Sequence, residues 1–193
     1  MSIKALRVLQ GLLSIVPSFW TADDINLVVG LYLLHDVATE ASVMGNLVKA
    51  VAKRVPSSVL IPTLCDTWKR LKDSLAPKPL GAFYFLLKKA IHAAPRGELL
   101  HQLRALFSVF LDGFTVQGNE ETSNEEVGID SSPPLFSLSV AHALSHSLQV
   151  EHETISAFLE LVVKLNETTF RPLFRKLYDW AFIQESGMDA RPF

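Results

Sequence analysis

Val59-Leu60-Ile61-Pro62-Thr63-Leu64, followed by Trp68 and Leu71, has a counterpart in Thr169-Phe170-Arg171-Pro172-Leu173-Phe174, followed by Tyr178 and Ala181. Aligned on their prolines, Leu64 matches Phe174, Trp68 matches Tyr178 and Leu71 matches Ala181. The prolines, at positions 62 and 172, are 110 residues apart. An acidic insertion accounts for roughly 20 of these residues, and the ~90 that remain are two steps at the ~40–47-residue period of arrays built from helix pairs. The repeat favours a stacked array over a compact bundle, two arrangements that periodicity alone does not separate.

The sequence around these stretches is helical in its spacing. Leu99, Leu103, Leu106, Phe107, Phe110 and Phe114 form one stripe at 3.6-residue intervals, and Phe83, Leu86, Leu87, Ala90, Ile91 and Ala94 form a second. Ile155, Phe158, Leu159, Val162 and Leu165 form a third, and Phe170, Leu173, Phe174, Leu177 and Ala181 a fourth. Thr21 precedes Ala22-Asp23-Asp24 as a helix start, with a carboxylate placed to meet free N–H groups. Pro56, Pro79 and Pro95 each stand where a helix can begin without losing a bonded donor. The spacing predicts about nine helices, over 2–16, 21–38, 40–54, 57–75, 80–94, 96–114, 134–149, 151–165 and 168–184, with a break near Val150. Short links between long helices make sequence neighbours antiparallel. The expected fold is therefore all-α, a HEAT-like α-solenoid of antiparallel helix pairs. It forms a single segment over 1–193, with a flexible acidic insertion at about 115–133.

Composition narrows the function. The 193 residues are 49% hydrophobic, enough for a sizeable core. The net charge is -2, but residues 117–132 hold five acidic side chains and no basic one, leaving a mildly basic body of 18 basic against 15 acidic residues. The insertion reads as a solvated loop or, more sharply, as an acidic partner-binding segment. One cysteine, Cys65, rules out an internal disulfide and fits a reducing compartment. Lys4 and Arg7 precede an apolar run, but Gln10 interrupts it and Pro17, Phe19 and Trp20 follow where a cleavage site would stand. No apolar stretch approaches the ~20 residues that span a bilayer, so the chain is expected to be soluble and free of a membrane partner.

Catalytic and metal chemistry find little support. His142 and His146 are i, i+4 on one helix, and with His152 they are the best metal candidate. His152 lies beyond the expected break, and the spacing matches no metalloprotease motif. No metal is assigned, and the histidines read as surface residues. Cys65 sits in an apolar helix without a base beside it and reads as a small core residue. No phosphate loop or nucleophile elbow exists. No catalytic residue, cofactor or small-molecule substrate is assigned.

Basic clusters remain. Lys69, Arg70 and Lys72 follow Trp68, Arg171, Arg175 and Lys176 ring the last helix, and Lys49, Lys53, Arg54 and Lys88-Lys89 are smaller groups. Such patches along a solenoid edge could contact proteins or RNA phosphates. The competing reading is a solvated face with local pairs, Arg175 with Asp179 and Lys69 with Asp73.

The segment Leu161-Val162-Val163-Lys164-Leu165-Asn166-Glu167-Thr168-Thr169-Phe170-Arg171-Pro172-Leu173-Phe174-Arg175-Lys176-Leu177-Tyr178-Asp179-Trp180-Ala181 closely resembles the C-terminal region of the giant HEAT-repeat subunits of the small-subunit processome. These belong to the transcription-linked part of the U-three ribonucleoprotein machinery. Tyr84–Ile91, Leu99–Phe107 and Val16–Phe19 resemble the same region. The resemblance implies a nucleolar scaffold in ribosome biogenesis, acting in pre-rRNA processing toward 18S rRNA and coupled to RNA polymerase I transcription. Its partners would be other processome proteins and pre-rRNA or snoRNA, met directly or through the particle. It implies no catalytic residues. In the last helix Phe170, Leu173, Phe174 and Leu177 are expected to face the core, with Arg171 and Arg175 on the opposite side. Members of that family are many times longer, so the chain is expected to be a fragment or a divergent short relative. Two other readings stay open: a helical scaffold of transport-receptor or coat-adaptor type, and a metal-dependent enzyme using His142 and His146.

Overall fold

A computed structural model describes residues 7–8, 11–12, 20–34, 41–72, 77–123 and 137–186. Eight helices are laid out: α1 (Ala22–Leu34), α2 (Ala41–Arg54), α3 (Ser57–Leu71), α4 (Pro77–Ala93), α5 (Arg96–His101), α6 (Leu103–Ser123), α7 (Ser137–Val163) and α8 (Glu167–Ser186). No strand occurs among the described residues. Arg7, Val8, Gly11 and Leu12 are helical; the rest of the helix expected over 2–16 lies outside the described residues.

Local chemistry explains the starts. Thr21 and Asp24 close a reciprocal cap on α1: the Thr21 N–H donates to Asp24 Oδ2 at 3.0 Å, and the Asp24 N–H donates to Thr21 Oγ1 at 3.3 Å. These bonds favour the ionised carboxylate, so the Asp24 carboxyl is held below its usual range. Pro56 and Pro95 stand immediately before α3 and α5. Asn166 caps α8, its Oδ1 accepting from the Thr169 N–H at 3.1 Å while Thr169 Oγ1 accepts from the Asn166 N–H at 3.1 Å. Pro62 and Pro172 are each the sixth residue of their helix, α3 and α8, so the two stretches matched in sequence share a structural position.

The helices stack in two layers. Side-chain links within the first layer recur at fixed sequence steps. Arg70 of α3 reaches Asn26 of α1 across 44 residues, and Trp68 of α3 donates to Asp112 of α6, again across 44. Ser57 bonds Glu98 across 41 residues. Both ends of α3 thus meet the α5–α6 pair in the same order, so the elements run parallel, as like helices do in successive repeats. Trp180 of α8 then reaches Thr115 of α6 across 65 residues. In the second layer α7 runs parallel to α4: Val150 touches Gly81, His92 Nδ1 lies 3.1 Å from Glu160 Oε2, and Lys164 reaches Ala94 across 70 residues. The first-layer step thus lengthens from 44 to 65 residues across the stretch of chain that includes the acidic segment. The fold is all-α and HEAT-like.

One continuous core runs between the layers. Phe83, Tyr84, Leu87, Ile91, Leu99, Leu106 and Phe110 are almost wholly buried with Trp68 and Leu64. Trp68 lies 5.3 Å from the rings of both Phe83 and Tyr84, and Tyr84 stacks on Phe110 at 6.1 Å. Lys164 closes the far end by donating to the carbonyls of His92 and Ala94 at 2.6 and 2.7 Å, satisfying acceptors that the end of α4 leaves open. Lys164→Ala is expected to lower stability by about 1 kcal/mol, read as a shift in the urea midpoint. An unchanged midpoint would show that water replaces the ammonium at no cost.

Several expectations are corrected. The helix expected over 96–114 is divided at Gln102, whose N–H bonds back to Leu99 and Leu100 before Leu106 bonds to Gln102 and the helix resumes. Neither proline nor glycine stands there, so the apolar period passes through the break unmarked. The loop expected from residue 115 begins later: α6 continues to Ser123. The remainder, 124–133, lies outside the described residues. The break expected near Val150 is absent, and α7 is one helix through it. Val150 is buried beside Gly81, and the Thr154 hydroxyl donates to the Val150 carbonyl at 2.8 Å, so contact with α4 continues where a turn was expected. The core stripe of α7 is also shifted. Val150, Thr154, Ala157 and Leu161 are buried, whereas Ile155 and Leu159 are exposed. Phe158 is half-buried against Phe110 and Phe114 at 5.3 and 5.9 Å.

Candidate functional site

The candidate residues divide by what they already touch. On α3, Lys69 Nζ pairs with Asp66 at 2.9 Å, Lys72 Nζ lies 3.6 Å from Asp112, and Arg70 donates to Asn26 at 2.8 Å. The first of these draws the Lys69 ammonium above its usual range through the Asp66 hydrogen bond. All three basic side chains have intramolecular partners, carboxylates for Lys69 and Lys72 and the Asn26 amide for Arg70, so the α3 cluster is a bonded seam between α1, α3 and α6. Lys69 pairs with Asp66; the alternative Asp73 lies outside the described residues.

The α8 cluster is different. Arg171, Arg175 and Lys176 are exposed, and no ion pair or hydrogen bond ties them to another described residue. The expected pair of Arg175 with Asp179 does not form. The side of α8 that meets the body is Phe170, Leu173, Leu177 and Trp180, all half-buried. Trp180 fastens it: its indole N–H donates to Thr115 Oγ1 at 3.1 Å and its ring lies 5.9 Å from Phe114.

Phe174 departs from the expected arrangement. It is 53% exposed, with Tyr178 at 61% and Phe182 at 62%. At 3.6 residues per turn Phe174 lies only about 60° round the helix from Arg171, and Tyr178, Arg175 and Phe182 fall in the same sector. Arginine and aromatic side chains therefore share one outward face, where the sequence reading separated them. The helical wheel held that signal; grouping all large apolar residues into one stripe hid it. Continuous with it in sequence, α7 displays Leu148, Ile155, Leu159 and Val163. Their positions, 148, 155, 159 and 163, lie opposite the residues that pack on α4. Scattered apolar side chains are ordinary on a surface; here they form a row on each of two successive helices.

Enzymatic features are few. His142 and His146 lie on α7, but their side chains lie outside the described residues; His152 is exposed, its Nδ1 3.9 Å from Glu153 Oε1. No group of three metal-ligating side chains occurs among the described residues. A recess between α1, α2 and α4, lined by Val28, Val29, Tyr32, Leu47, Val48 and Leu86, is apolar apart from a phenol whose acidity burial suppresses. It is a packing fault of the core. Cys65 is buried, and burial pushes its thiol up to about 11. A free thiol titrates near 8.5, so alkylation at pH 8 should run more than roughly a hundredfold slower in the folded chain than in urea. Equal rates in both would show that α3 opens freely. No helix among the described residues is long and apolar enough to cross a membrane.

Comparison with known proteins adds the relatives. The BP28CT (NUC211) domain matches residues 98–191. HEAT repeat-containing protein 1 of Homo sapiens is 26% identical over 195 residues, covering 97% of this chain and 8% of that protein. The HEAT repeat-containing protein 1 homolog of Dictyostelium discoideum is 51% identical over 164 residues, 80% of this chain and 6% of the relative. U3 small nucleolar RNA-associated protein 10 of Schizosaccharomyces pombe is 28% identical over 153 residues, 77% of this chain and 8% of the relative. The chain thus spans less than a tenth of the length of each of these three. No solved structure matches.

Proposed function

We propose that this chain, which carries a BP28CT (NUC211) domain and is homologous over most of its length to HEAT repeat-containing protein 1 and U3 small nucleolar RNA-associated protein 10, is a scaffold segment in ribosome biogenesis. The observation that carries the reading is the two-layer stack itself. It spends its apolar side chains on neighbouring helices and leaves a long edge for partners, and the relatives that share its sequence are named for a HEAT repeat and for association with a small nucleolar RNA. In this reading the chain works in the nucleolus within the small-subunit processome, supports pre-rRNA processing toward 18S rRNA, and is coupled to RNA polymerase I transcription. It is not an enzyme. Its partners are other processome proteins and pre-rRNA or snoRNA.

Among the six basic residues that could serve as contacts, Arg171, Arg175 and Lys176 are better placed than Lys69, Arg70 and Lys72. The former have no partner among the described residues, whereas binding through the latter would break existing bonds. Depletion of the protein carrying this segment, followed by pulse-labelling of ribosomal RNA, tests the function. The small-subunit RNA should fall while its precursors accumulate. Unchanged maturation of both subunits' RNA would refute the proposal.

A further inference from the structure

We propose that the solvent face of α2 and α4 holds a nucleic-acid strand by its backbone phosphates. The inference deepens the ribosome-assembly reading by giving the RNA of that reading a place on the chain, and it rests on that reading only for the choice of RNA as the strand.

Charge is unevenly divided along the second layer. Helices α2 and α4 together carry six lysines and arginines and no aspartate or glutamate. Helix α7 carries three glutamates and neither lysine nor arginine. Its glutamates meet α4 on one side only: Glu153 Oε2 lies 3.9 Å from Lys88 Nζ, and Glu160 lies beside His92. Lys89, the next residue along the chain, is turned about 100° away from Lys88. It stands three residues beyond Leu86, which faces α2, and so lies only about 60° from the side that meets α2. Its ammonium sits 5.5 Å above the ring of Phe85, and no carboxylate pairs with it among the described residues. On α2, Lys49 and Lys53 are exposed, four residues apart on one face, with Arg54 exposed beside them. Lys49, Lys53 and Arg54 have no ion pair or hydrogen bond with another described residue.

Packing brings the two groups together. Leu47, Val48 and Val51 of α2 and Leu86 of α4 line one recess. Farther along, Ser57 bonds Glu98, which sets the ends of α2 and α4 side by side. Contacts in this order make the two helices parallel, at the roughly 8–10 Å separation of packed helices. Lys49 follows Val48, Lys53 comes two residues after Val51, and Lys89 comes one turn after Leu86, so the three ammoniums flank the same stretch of the seam. This face points away from the core and across the stacking direction, so a further repeat at either end of the stack does not cover it. The class of partner follows from what the face lacks. Among the described residues, α2 and α4 expose no large hydrophobic side chain. A protein interface is built on an apolar and aromatic centre and is poor in lysine. Ammoniums are point charges that neutralise phosphates and release the counterions around them. A row of them with no carboxylate on either helix fits a polyanionic backbone.

The test uses the whole chain and three labelled probes in fluorescence anisotropy: oligouridine RNA, oligothymidine DNA of the same length and a polyglutamate peptide. Both nucleic acids should bind at low salt, because lysines read phosphates and not the 2′-hydroxyl. Lys49→Gln with Lys53→Gln and Lys89→Gln should weaken oligouridine roughly tenfold or more, and should reduce the slope of log affinity against log salt by about 2, near 0.7 for each ammonium lost. Lys88→Gln should change the affinity less than about twofold, because Lys88 is turned to Glu153 and away from the face. Circular dichroism matching the parent's shows that the triple variant is folded. Absence of oligouridine binding, or an unchanged salt slope in the folded triple variant, would overturn the proposal. Binding of oligouridine without oligothymidine would assign the contact to the 2′-hydroxyl and overturn it. Polyglutamate binding as tightly as oligouridine, and lost with the same three changes, would assign the face to an acidic protein and overturn it as well. This readout is separate from pulse-labelling of ribosomal RNA, so the inference and the ribosome-assembly reading fail independently.

Discussion

Replacing Trp68 by alanine should cost about 3–5 kcal/mol, the loss typical of removing a large buried aromatic side chain. Trp68 is 1% exposed and joins three helices. Its ring packs against Phe83 and Tyr84 of α4 at 5.3 Å each, and its indole N–H reaches Asp112 of α6 at 3.3 Å. Removing it opens a cavity where the layers meet and cuts a link between α3 and α6. Trp68→Phe separates the two effects. It retains much of the packing, loses the hydrogen bond and should cost about 1–2 kcal/mol. Urea unfolding followed by ellipticity at 222 nm reads both variants. A loss below about 1 kcal/mol for Trp68→Ala would mean that the layers do not close on this residue.

The second large effect is expected at Gly113. A methyl group there would overlap the hydroxyl of Tyr84, which is fully buried and donates to the Val109 carbonyl at 3.1 Å. Glycine inside a helix ordinarily costs about 1 kcal/mol relative to alanine, so Gly113→Ala would stabilise an open site. Here the ring cannot swing aside, because Phe83 stands edge-on to it at 5.3 Å and Phe110 lies against it at 6.1 Å. Helix α6 must then move away from α4, and a net loss of about 1–3 kcal/mol is expected. Tyr84→Phe removes the overlapping oxygen. The ring carbon Cζ would still lie 2.9 Å from the added methyl, so in that background Gly113→Ala should cost less without becoming neutral, giving a coupling of roughly 1 kcal/mol between the sites. Additive losses would show that the close approach of α6 to α4 is not what the glycine serves.

The residues of α4 show what a sequence conveys well. Phe83, Leu86, Leu87, Ala90 and Ile91 of α4, with Ala94 just past its end, were all legible as one stripe and are all buried, because α4 lies at the centre of the stack. The proline alignment was equally informative: the steps of 44 and 65 residues from α3 to α6 and from α6 to α8 span nearly the separation of Pro62 and Pro172. Helix α7 was legible as helical sequence, but as two helices broken near Val150 and not in its rotation. Its contact with α4 uses Thr154 and Ala157, small residues that permit close approach and carry little hydrophobic weight. Pattern reading assigned the core to Ile155 and Leu159, which lie outward. The same bias placed Phe174 in the core. A large apolar residue in a stacked array serves either the body or the next surface along the stack, and its identity does not say which. The division at Gln102 had no marker, since the apolar stripe runs straight across it. The basic clusters were legible as groups, but only side-chain geometry separates the bonded seam of α3 from the open arginines of α8.

Affinity purification of the tagged protein from nuclear extract, with and without ribonuclease and read by mass spectrometry, tests the scaffold reading most directly. Small-subunit assembly factors should be enriched and should survive ribonuclease, because the account assigns the chain direct protein contacts. Recovery of transport or coat components with no assembly factors would contradict it and return the helical stack to the adaptor class.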